Sequence, residues 1–155
     1  MNEKITKKVG EASAFAQVLE ATYQANEKVM KELLGAKAGA VVKAAASQKT
    51  ALQSLCDEAG TVSILKPKAE KTAEKITRMG EMYVGNDWDD ATEVLEWMSF
   101  FVGGAIVHWQ LIAGAGEAMG HTALQRVADA GVVYYKELLD QLNMTATSIG
   151  AERSH

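Results

Sequence analysis

Residues 98–116, MSFFVGGAIVHWQLIAGAG, run nineteen positions without a formal charge. Only Ser99, His108 and Gln110 bring polar side chains into the run. A helix this apolar can cross a bilayer, surround a cofactor, or stand at the centre of a bundle. Its setting favours the third. Glu96 and Glu117 bracket it, and no Lys/Arg cluster adjoins it as it would at a membrane face. The other helical segments alternate apolar and polar faces in the manner of soluble helices. The sequence therefore predicts no membrane insertion. Any part of so apolar a helix that its own bundle leaves bare is an association surface, so a homodimer through 98–116 is expected.

The chain of 155 residues is long enough for one domain, assigned to 1–150 with 151–155 as a frayed tail. A chain of this size buries roughly 70% of the surface its unfolded form exposes. There is one proline, Pro67, and long stretches lack any helix breaker, which predicts an all-α fold. The net charge is −4 with no basic cluster, so nucleic acid finds no electrostatic footprint. The single cysteine, Cys56, forms no internal disulfide and suits a reducing compartment. The charged start, MNEKITKK, does not read as a signal peptide, and a cytoplasmic location is expected. No Ser-His-Asp set, phosphate-cradling glycine loop or zinc motif is present.

Residues 3–34 read as one long helix with a seam at Ile5, Val9, Ala12, Ala16, Leu19, Tyr23, Met30 and Leu33, interrupted by Asn26. The short connection 35–39 makes the next helix, 40–59, antiparallel. Its seam holds Val41, Ala45, Leu52, Leu55 and Ala59 with one polar member, Gln48, and Gly60 closes it. Residues 61–86 begin with Pro67 in a first turn and read as a solvated crossover, edged by Ile76, Met79, Met82 and Tyr83. Asp87 is the expected cap of a helix from 88 to about 118, and Thr122 of the last helix. The architecture predicted is a four-helix bundle with a long helical crossover between main helices two and three.

That topology is ferritin-like. The segment AFAQVLEATYQANEKVMKEL, 14–33, resembles the first helix of the YciE/YciF-type stress proteins, with Tyr23-Gln24-Ala25-Asn26-Glu27-Lys28 where the family carries a Tyr-x-Ala-Glu-Lys run. The segment GEAMGHTALQRVADAGVVYYKELLDQL, 116–142, is similar to the family's final helix. The resemblance implies a ferritin-like bundle and a stress-linked role. In ferritin-like proteins a metal pair is held by a Glu on each of two helices and Glu-x-x-His on each of the others. Carried over, those positions fall on Asn26, on Gln48 and Ala51, near Val102 and Ala105, and on Tyr134 or Tyr135. None is a carboxylate or an imidazole.

Because buried carboxylates without a cation are costly to ionise, neutral groups at these inward positions make sense. Asn26 and Gln48 are expected to share hydrogen bonds with Tyr23 or Tyr135. The resulting expectation is a metal-free centre with no cofactor and no catalytic residue. The alternative is a metalloprotein or di-iron oxidase with displaced ligands among Glu20, Glu93, Glu96, His108, Glu117 and His121. A hydrophobic pocket lined by Trp88, Trp97, Trp109, Met98 and Met119 is a further possibility, against the plainer reading of these side chains as packing. The only literal Glu-x-x-His is Glu152-Arg-Ser-His155.

Overall fold

The computed structural model describes residues 1–154, and the regular elements among them are all helical. They are α1 (Glu3–Ala25), α2 (Glu27–Leu34), a 3₁₀ turn (Gly35–Ala40), α3 (Val41–Ala59), α4 (Val62–Val84), α5 (Ala91–Met119) and α6 (Thr122–Arg153). The all-α class read from the sequence is the class observed. His155, and with it the tail Glu-x-x-His, lies outside the described residues.

The first helix is not continuous. At Asn26 (φ −133°, ψ 43°) the chain leaves helical geometry, with the backbone N–H donating back to Thr22 O and Tyr23 O. The Asn26 side-chain Nδ2 also donates to Thr22 O at 3.1 Å. A short amide competes with the helix for its own carbonyls, and here it ends one helix and starts another. α2 then buries Val29, Met30, Leu33 and Leu34.

Helix α1 is the organising element. Gly10 lies against Leu65 and Lys68 of α4, and Val18 and Asn26 share a cleft wall with Ile76 and Gly80, so α1 and α4 run parallel. Glu11 meets His108, and Phe15 meets Phe101 and Gly104, so α5 runs antiparallel to α1. Helix α3 packs on α1, α6 packs chiefly on α5, and α3 and α6 also touch. The four form a ring, α1–α3–α6–α5, and α4 lies along α1 while carrying the chain from the end of α3 to the start of α5.

Several local expectations need correction. α4 is no loosely solvated crossover. It buries Leu65, Ala69, Ala73, Ile76, Gly80 and Val84, whereas the predicted edge residues Met79, Met82 and Tyr83 are exposed. Pro67 sits in its second turn. The proline and Ser63, whose carbonyl loses its donor, both face water. Asp90, not Asp87, caps α5 by accepting from Thr92 N at 2.9 Å. His121, not Thr122, caps α6 through Nδ1, which accepts from Leu124 N at 3.3 Å. The expected frayed tail stays helical through Arg153. Gly60 and Gly120 do close α3 and α6's predecessor α5 in the left-handed region.

Glycine notches set the closest helix approaches. A Cβ on Gly131 of α6 would lie 2.3 Å from the Trp109 ring of α5. One on Gly80 of α4 would lie 2.9 Å from the Trp97 ring, and one on Gly116 2.8 Å from the backbone of Gln125. Gly131→Ala is therefore expected to destabilise by about 1–3 kcal/mol through overpacking. Gly150→Ala, which meets nothing within 4 Å, should instead stabilise by up to about 1 kcal/mol through helix propensity. Urea unfolding midpoints of the two variants, at unchanged slope, check the opposite signs.

Candidate functional site

The bundle centre is built from α3, α5 and α6. Tyr135 is fully buried, and its hydroxyl donates to Gln48 Oε1 at 2.8 Å. The indole of Trp109 stacks on the Tyr135 ring with centroids 6.4 Å apart. Val102 and Ala105 are fully buried, and Ala51 is half-buried. Tyr134 packs edge-on against Tyr135, its hydroxyl buried with no partner among the described residues. Asn26 does not join this centre. It is half-buried at the α1–α2 break and spends its amide on Thr22. The predicted network thus forms between Gln48 and Tyr135 and leaves Asn26 out.

Burial keeps these phenols neutral. It pushes the Tyr134 hydroxyl up to about 12, and raises Tyr135 further, with the neighbouring Tyr134 adding to the effect.

The alternative ligand residues are scattered. Glu20 pairs with Lys49 at 2.7 Å. Glu93 is half-buried in the first turn of α5, where the helix dipole favours an anion. Glu96 accepts from the Tyr83 hydroxyl at 3.0 Å. Glu117 is exposed in the last turn of α5, and His121 is committed to the α6 cap. Among the described residues no three His, Cys, Asp or Glu side chains converge as a metal would need. Cys56 is buried, and burial holds its thiol above the usual value.

His108 does have an acidic partner, but one the sequence reading passed over. Its Nδ1 is 2.7 Å from Gly104 O and donates to that carbonyl, while Nε2 is 3.3 Å from Glu11 Oε2. Glu11 is also held by Lys8 at 2.8 Å and Lys68 at 3.2 Å. Burial would raise the Glu11 carboxyl, but the hydrogen bonds and charges of the two lysines outweigh it and hold it below the ordinary carboxylate value.

This cluster closes one end of a groove of about 420 Å³ between α1, α4 and α5. Its floor is Phe15, Ile76, Trp97 and Phe101, with Met79 and Phe100 at the far end. Lys68, Lys71 and Lys75 stand along its α4 wall. Of the aromatic and methionine residues expected around a pocket, Trp97 lines this groove. Trp88 and Trp97 line a neighbouring cleft, Trp109 and Met98 are core, and Met119 is exposed. The signal for the groove was present in the sequence as lysines at 68, 71 and 75, spaced to share one helix face. Nothing in α1 alone marked Glu11 as their neighbour.

No known protein family, no curated protein and no solved structure matches this chain.

Tyr135→Phe should cost about 1 kcal/mol by leaving Gln48 Oε1 without its donor, read from the denaturant midpoint. Tyr134 has a folded-state pKa above the unfolded value near 10. Its contribution is whole below pH ~10 and is lost as pH rises from there through about 12. Tyr134→Phe should flatten the alkaline fall in stability over that window, followed by melting temperature against pH.

Proposed function

We propose that this chain is a ferritin-like bundle without a di-metal centre, acting non-catalytically as a structural or binding protein and as a homodimer. The ring α1–α3–α6–α5, with α4 as the long connection between α3 and α5, supports the ferritin-like part. The observation that carries the reading is the Tyr135–Gln48 hydrogen bond, 2.8 Å long. It joins two of the positions onto which the resemblance maps metal ligands, and it satisfies both with neutral groups. Carboxylates there would need a cation to offset their desolvation. The lone buried thiol Cys56 suits a cytoplasmic setting, and the YciE/YciF resemblance supports the stress-linked role.

The dimer reading rests on α5. Fewer than half of the residues in its most apolar window are buried within the chain. Val107 and Leu111 are exposed on one face with the bare Gly103 and Gly114 beside them, and the exposed Phe100 stands where this face borders the groove. A second copy laid on this face would remove that surface from water at the usual return of about 25 cal/mol per Å². The same helix is long and apolar enough to cross a membrane.

Two measurements test the reading. Protein produced with iron and manganese supplied should contain no stoichiometric metal by plasma mass spectrometry, and about two ions per chain would overturn the metal-free centre. Light scattering in detergent-free buffer should give the mass of two 16.7 kDa chains, falling to one in Leu111→Asp. A monomer in the unaltered protein would remove the dimer.

A further inference from the structure

We propose that the groove between α4 and α5 is a binding site for a single-chain amphiphilic anion, a long-chain carboxylate. The inference rests on the distribution of charge and apolar surface along the groove. It does not depend on the metal-free centre, which lies on another side of α5.

The groove is amphipathic across its width. Lys68 stands beside Glu11 at one end, and Lys71 and Lys75 follow on the next two turns of the α4 wall. Ile76, Met79, Trp97 and Phe100 continue it as an apolar trough. From Lys68 to Met79 the helix rises about 16 Å, the reach of an extended acyl chain rather than of a compact metabolite. A volume of about 420 Å³ lies in the range of small-molecule sites.

The charge favours an anion along the α4 wall. Glu11, the acid of the groove, is already surrounded by Lys8, Lys68 and His108. Among the described residues Lys71 and Lys75 have no ion-pair partner, so two cations remain over an apolar floor. The acids of α4 face elsewhere. Glu70, Glu74 and Glu81 line a separate surface with Gln17 and Arg78, and Glu74 pairs with Arg78 at 3.7 Å. This local excess of positive charge stands in a chain whose net charge is −4, so it is a property of the groove and not of the protein as a whole. Lysine stems can lie along an acyl chain while their ammonium groups meet its carboxylate at the water boundary. An uncharged or cationic amphiphile would use the trough and leave the lysines unanswered.

The test uses the whole protein and the fluorescent fatty acid cis-parinaric acid. Saturable uptake at one site per chain is expected, reversed by dodecanoate and not by dodecyltrimethylammonium. Lys71→Glu combined with Lys75→Glu should weaken uptake at least tenfold. Both side chains are exposed or unpaired, so circular dichroism and melting should stay unchanged. If that variant misfolds, Lys71→Gln with Lys75→Gln serves in its place with a smaller loss in the same direction. Absence of saturable uptake, equal displacement by the cationic amphiphile, or uptake indifferent to the lysine substitutions overturns the proposal. Light scattering on the same samples reports the dimer separately, since Leu111 lies outside the groove lining.

Discussion

The seating of the Trp109 ring on Gly131 decides how the second half of the molecule is assembled. Because α6 has no side chain there, the indole occupies the space a Cβ would fill and is fully buried. The α5–α6 pair is thereby drawn close along its length, helped by Gly116 against Gln125 near the hairpin turn. One turn beyond Gly131, Tyr135 stacks on the same indole and carries its hydroxyl to Gln48 of α3. A single notch thus sets the α5–α6 spacing, places the buried phenol and ties the hairpin to the first half of the chain. Close packing of this kind has little slack, since protein interiors are as dense as organic crystals.

From this arrangement α5 is left with three distinct surroundings. One side is sealed by α6 and the neutral centre. A second meets α1 and α4 across the groove, where Phe15, Trp97, Phe101 and His108 gather. The third, carrying Val107 and Leu111, faces outward, with Phe100 at its border with the groove. The two chemistries of the molecule are segregated by α1. Toward the centre between α3, α5 and α6 the buried polar groups are the Gln48 amide and the Tyr135 phenol, which hydrogen bond without net charge. Toward α4 they are Glu11, His108 and lysines, with the Glu11 carboxylate held between Lys8 and Lys68.

Much of the fold was legible as periodicity. The seams through Val9, Leu19, Leu52, Val102, Trp109, Leu124, Tyr135 and Leu142 are buried in the structure. A run of apolar residues every three or four positions leaves a helix few ways to satisfy itself. Where the reading went astray, a local competitor had acted. Asn26 took its own helix's carbonyl, Asp90 and His121 displaced the predicted caps, and α4 buried small residues such as Ala69, Ala73 and Gly80 in place of the conspicuous methionines. Small residues carry a weak hydropathy signal, yet they permit the close approach that buries a helix. Of the candidate site, the Gln48–Tyr135 pair could be anticipated, whereas the groove could not, since Glu11 and Lys68 are brought together by the pairing of α1 with α4.

The sequence by itself determined that the chain is helical, which positions face inward on every long helix but α4, and that those inward positions carry almost no charge. These are properties of neighbours within one helix, set by side-chain type and a repeat of 3.6 residues. Only the tertiary structure decided which helices pair, that α4 runs parallel to α1, and that lysines from one and a glutamate from the other border the same groove. Such partners are tens of residues apart along the chain. Their meeting depends on backbone distances set at Gly10, Gly80 and Gly131, where shape rather than hydropathy makes the choice.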